Sequence, residues 1–155
     1  MIERLKNRPL PLNRALLITL AFLPMALANA QQNLNVWKSL SEVSYKISED
    51  EFGELYLPEF SEKIKKLEGK EVTADGYIIP FEGMFKPEHI ILSSLPLAEC
   101  FFCGSGGPET VMEVMLKDPI KYTSKRVKVK GKLVLNSKDP EKLMYILNEA
   151  ELLDN

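Results

Sequence analysis

The sequence predicts a mainly β protein: a small OB-like five-stranded barrel preceded by a short helical segment. Three observations carry this. Apolar and polar residues alternate with a period of two from Lys70 almost to the end. Turn residues divide that region into five pieces. Two of the pieces repeat one pattern, K-x-V-x-(A/V)-x-G, over Lys70–Gly76 and again over Lys125–Gly131. Glycine inside a strand weakens it unless the strand must bend there. Two strands bent by glycine suit a curved sheet that closes and hides its edges. An open antiparallel sheet packed on one helix is the alternative.

Taken in order, residues 1–14 are short and basic, and residues 15–28 are almost wholly apolar. Ala28 and Ala30 then supply an A-x-A site. This is the pattern of a cleavable signal peptide over 1–30. A bilayer span needs roughly 20 apolar residues, and Pro24 interrupts a shorter run. No membrane span is therefore expected after cleavage, and the mature protein is expected to be periplasmic or secreted. Residues 1–30 hold four basic groups and one acid, so their removal takes the net charge from -2 to about -5. That balance gives no global attraction to nucleic acid or anionic lipid. The composition, 45% hydrophobic and 27% charged, is that of a globular domain.

Residues 31–57 read as an N-terminal extension, and 58–155 as a single barrel domain. Trp37 and Leu40 are three apart and share one helical face. The acidic run Ser48–Glu54 lacks calcium-loop spacing and reads as a solvated turn. Pro58–Leu67 reads as a helix, with Pro58 in the first turn and Gly69 after the end. Phe60, Ile64 and Leu67 form its apolar stripe. The expected strands are Lys70–Pro80, His89–Ser94, Thr110–Leu116, Arg126–Leu135 and a last one within Leu143–Leu153. Residues 82–87 read as a hairpin-like connection. Glu149-Ala150-Glu151 could equally extend a short helix. In the fourth strand Val127, Val129, Gly131, Leu133 and Leu135 point one way and the lysines the other. The basic stripe Lys125, Arg126, Lys128, Lys130, Lys132 reads as that strand's wet face.

Chemistry concentrates in Glu99-Cys100-Phe101-Phe102-Cys103-Gly104-Ser105-Gly106-Gly107-Pro108-Glu109. This stretch holds both cysteines of the protein and three of its eight glycines. Haem attachment requires a histidine after the second cysteine, and Gly104 stands there. A thiol-disulfide oxidoreductase needs its first cysteine at a helix N-terminus. The glycines that follow make a poor helix. A structural zinc takes four ligands. Cys100 and Cys103 provide two, with His89, Glu99 and Glu109 as further candidates, or two chains of a homodimer pooling four thiolates. Cu(I) accepts two thiolates alone. A disulfide between Cys100 and Cys103 is the equal alternative, because export is oxidising. Phe101 and Phe102 are adjacent and would face opposite ways in an extended segment. With Trp37, whose indole reads first as a core or lid residue, they are the candidate surface for a protein or oligosaccharide ligand.

The order Trp37-x-x-Leu40, Leu67-x-Gly69-Lys70-x-Val72, Gly76-Tyr77-x-x-Pro80, a strand at 90–92 and Cys100-Phe101-Phe102-Cys103-Gly104 resembles a family of small exported bacterial proteins. That family is classed as domain of unknown function 3299. The likeness covers most of residues 37–150, and only the cysteine loop is specific. Related members carry Cys-x-His in the loop, and some sit beside envelope transport systems. The resemblance implies that Cys100 matches their cysteine while the Cys103 region replaces their histidine, which favours a metal ligand. It implies an accessory to an envelope transport or metal-handling system, partnered by a membrane protein, and no reaction.

Overall fold

The computed structural model of the chain describes residues 36–51, 53–80 and 87–153. The expected signal peptide, the leader up to residue 35 and most of the 82–87 connection lie outside these residues. Among the described residues no helix is long and apolar enough to cross a membrane.

The five expected strands are present as β3 (Glu71–Ile79), β4 (His89–Ser93), β5 (Val111–Leu116), β6 (Val127–Leu135) and β7 (Tyr145–Leu153). They close into a barrel in the order β3-β4-β5-β7-β6. Every neighbouring pair is antiparallel except β5–β7, which is parallel. Three strands meander, the fourth crosses to the first, and the fifth closes the gap beside the third. That is the OB arrangement.

The repeated pattern explains part of the closure. β3 and β6 are antiparallel neighbours, so the two copies pair with each other: Val72 with Gly131, Ala74 with Val129, and Gly76 with Val127. Each copy's valine stands opposite the other's glycine. At Gly76 the neighbouring strand comes so close that a Cβ would lie 2.3 Å from the Ser93 carbonyl oxygen. The side-chain alternation holds along β6, with Val127, Val129, Gly131 and Leu133 buried. In β7 it slips. Tyr145 and Leu147 are buried, then Ala150. Glu149 between them has φ 50° and marks a bulge where the register with β6 shifts. This segment is therefore strand throughout, not helix.

A helix α1 (Val36–Leu40) plugs the barrel core with Val36, Trp37 and Leu40. Two buried polar groups fasten it. The Trp37 indole donates to the Asp75 carbonyl at 2.9 Å, and the Tyr145 hydroxyl donates to the Leu40 carbonyl at 2.7 Å. Trp37 is 7% exposed, which removes it from any binding surface.

Two expectations need correction. The acidic run is not one broad turn. It forms the tip of a hairpin, β1 (Ser44–Asp50) and β2 (Gly53–Glu59), with a connection of only residues 51 and 52. The helix over Pro58–Leu67 shrinks to α2 (Glu62–Lys65), capped by the Ser61 hydroxyl, which accepts from the Ile64 N–H. Pro58 and Glu59 instead pair with Tyr45 and Ser44. The apolar stripe survives the shortening: Ile64 is fully buried, and Phe60 and Leu67 pack against the core. On β6 the basic stripe is interleaved with acids. Arg126 pairs with Asp75 (2.7 Å), Lys130 with Glu71 (3.2 Å) and Lys132 with Glu149 (2.7 Å).

Candidate functional site

The cysteine loop is the connection between β4 and β5. Its base is closed by the Ser94 N–H and hydroxyl, which both donate to the Thr110 carbonyl. A 3-10 turn, Leu97–Glu99, leads into Cys100. The chain then folds around the Cys100 carbonyl, which accepts from the N–H groups of Cys103 (3.2 Å) and Gly104 (2.8 Å). Gly104 presses on the incoming backbone: a Cβ there would lie 2.5 Å from the Ala98 carbonyl oxygen. The C-x-x-C-G order is thus one steric unit, with the glycine letting the second cysteine fold back over the first. The two cysteines come within 4.2 Å. Cys100 is buried and Cys103 exposed, both as free thiols. Phe101 and Phe102 do not face opposite ways. The turn leaves both rings about two-fifths exposed, meeting edge-to-face at 5.1 Å.

Cys100 follows a three-residue 3-10 turn and does not begin a helix, so it lacks the helix N-terminal placement of a redox-active first cysteine. The accessible sulfur is Cys103. Desolvation, then the Cys100 thiol beside it, raises its pKa.

Of the expected metal ligands Cys100, Cys103, His89, Glu99 and Glu109, the fold brings Cys100 and Cys103 together. Among the described residues no three His, Cys, Asp or Glu side chains cluster to hold an ion. Glu99 is exposed, and its carbonyl accepts from the Gly106 N–H. His89 begins β4, whose far end starts the cysteine loop; at ~3.3 Å per residue that is about 13 Å of strand. It meets Glu113 instead, Nε2 to Oε2 at 3.0 Å. Glu113 is only 8% exposed, and its other oxygen accepts from the Leu143 N–H at 2.6 Å. One buried carboxylate thereby ties β4 and β5 to the connection between β6 and β7.

That connection, residues 136–144, forms one wall of a groove of about 370 Å³. Asn136 stiffens it, donating to the Asp139 carbonyl and accepting from the Asp139 N–H. Phe101 and Pro108 of the cysteine loop, and Leu55, Tyr56, Leu57 and Pro58 of β2, complete the lining. Beside it the Tyr45 hydroxyl donates to the Glu109 carboxylate at 3.3 Å, joining hairpin to cysteine loop. The sequence reading missed this groove. Its signals were there in the alternating Tyr45/Ile47 and Leu55/Leu57, but the acidic residues between them masked the hairpin.

Burial, then the Glu109 charge, pushes the Tyr45 phenol above its ordinary range; burial does the same to Tyr145, with Tyr45 and Glu109 adding to it. Both are neutral in the fold, and a raised acid pKa stabilises the fold below the unfolded value of about 10. That stabilisation is lost as pH rises beyond it. Urea midpoints are expected to fall as pH rises above about 10, the unfolded value, and to fall less in Tyr45→Phe. An unchanged alkaline limb in the variant would remove Tyr45 from the account.

No family model, curated protein or solved structure matches this chain. The reading of the site therefore rests on its own chemistry.

Proposed function

We propose that the protein is an exported, non-enzymatic OB-like module in which Cys100 and Cys103 close the β4–β5 loop and hold Phe101 and Phe102 out for a partner in the cell envelope. The observation that carries this is the pair of cysteines 4.2 Å apart, one buried and one exposed, at the base of two exposed rings. In an oxidising compartment the pair closes as a disulfide. The bridge spans too short a segment to add much global stability; its effect is to fix the rings. A soft ion such as Cu(I), which needs only two thiolates, is the alternative clasp. Zn needs two more ligands, which no cluster among the described residues supplies and a second copy's cysteines would. The leader-like residues 1–30 and the resemblance to an exported family support the compartment and an envelope transport partner.

The test is a thiol and metal count on protein made with its own leader and purified from the periplasm. The expected result is no free thiol under denaturing conditions and two after reduction, or one soft metal ion per chain, lost in Cys100→Ser/Cys103→Ser. Two free thiols with no metal overturn the proposal.

A further inference from the structure

The groove beside the cysteine loop carries an inference that does not depend on the state of the thiols. Four consecutive β2 residues, Leu55, Tyr56, Leu57 and Pro58, line it, and no residue of β1 does. Side chains of a strand alternate between faces, so four in a row touch one space only when that space meets the strand edge-on. β2 pairs with β1 along its other edge and with no other strand. The groove therefore lies along the free edge of β2.

The register says which backbone groups that edge offers. The hairpin closes with Asp50 opposite Gly53 across a two-residue connection, and such a hairpin closes on a hydrogen-bonded pair. Pairs alternate from there. On that alternation Leu55 and Leu57 fall at hydrogen-bonded positions opposite Ser48 and Lys46, and Glu54, Tyr56 and Pro58 at positions whose backbone groups turn outward. Proline has no N–H, and it falls at an outward position, where β1 does not need one. The edge presents the N–H and C=O groups of Glu54 and Tyr56 and the Pro58 carbonyl. Among the described residues none of these makes a backbone hydrogen bond outside the hairpin.

We infer that this slot binds a single extended polypeptide segment, which adds to β2 as a third strand and carries an acidic side chain. An extended backbone is the chemistry that satisfies a row of outward amides. Phe101 and Tyr56, both substantially exposed, give its apolar side chains a surface. Of the residues that line the opposite wall, Lys138 and Lys142 are basic and Asp139, 3.4 Å from Lys142, is acidic, so Lys138 is the cation that faces the slot without an ion pair to Asp139; Glu141 of the same connection does not line it. A second copy of the chain fits less well. Its own hairpin is a two-stranded ribbon, which would bring a second strand into a slot lined on its other side by residues 136–144.

The experiment titrates a fluorescein-labelled peptide, Val-Thr-Val-Glu-Val-Thr, into the intact mature protein, beside the same peptide N-methylated at alternate amides. The inference expects saturable binding of the first and none of the second, with protection of the Tyr56 amide from hydrogen exchange. Lys138→Glu/Lys142→Glu is expected to weaken binding by about fivefold, the scale of exposed ion pairs. Equal binding of both peptides overturns strand addition and leaves an apolar cleft. Absence of binding at millimolar peptide overturns the site. Self-association by sedimentation, abolished by the same lysine reversals, transfers the edge to a second copy and also overturns it. The thiol count does not bear on any of these outcomes.

Discussion

Trp37→Ala is expected to destabilise the protein by about 3–5 kcal/mol, the range for deleting a large buried ring. The indole sits in the core with Val36 and Leu40, so its loss leaves a cavity where α1 meets the barrel. It also removes the donor to the Asp75 carbonyl. Arg126 compensates only in part, its Nη2 lying 3.4 Å from the same oxygen. At about 4 °C per kcal/mol for a domain of this size, the melting temperature should fall by more than about 10 °C. Circular dichroism in urea measures it. A loss below about 1 kcal/mol would mean that the helix rests on the barrel without belonging to its core. Trp37→Phe, which keeps most of the volume and loses the hydrogen bond, should fall between the two.

Gly76→Ala is the second large effect, and it tests the barrel's curvature. The added methyl meets the Ser93 carbonyl oxygen at 2.3 Å and its carbon at 2.9 Å, both backbone. No side-chain rotation relieves that contact, so β4 must move. Overpacking of this kind costs about 1–3 kcal/mol where side chains yield, and more where they cannot; about 3 kcal/mol or no soluble fold is the expected outcome. Lys128→Ala, on the exposed face of β6, should stay within about 0.5 kcal/mol. Should Gly76→Ala melt with the wild type, the strand pair is looser than its register implies, and the paired glycine pattern has another cause.

The barrel strands were readable because each has one buried face. In Val127, Val129, Leu133 the alternation is a direct record of which side meets the core. The hairpin of β1 and β2 keeps only a weak record. Ile47 and Tyr56 stand opposite each other on it and are both 57% exposed, and Leu55 and Leu57, alternating with the exposed Glu54 and Tyr56, are only half-buried, so burial imposed little contrast between its faces. Pro58 suits the first turn of a helix and the edge of a strand equally well. Only the pairing with Tyr45 decides between them. The loop spacing C-x-x-C-G foretold two neighbouring sulfurs, because the turn is local. It could not foretell that His89 would meet Glu113, since that contact depends on which strand lies beside β4.

What the sequence determined by itself is whatever one segment decides with its neighbours: the strands β3 to β6, the need for glycine at positions 76 and 131, and the closeness of Cys100 to Cys103. Tertiary structure alone decided that the two glycine patterns would pair, that the Trp37 indole would donate to the Asp75 carbonyl, and that one strand edge would face a slot. Those outcomes come from residues far apart in the chain that meet only when the barrel closes. Local pattern contains no term for them.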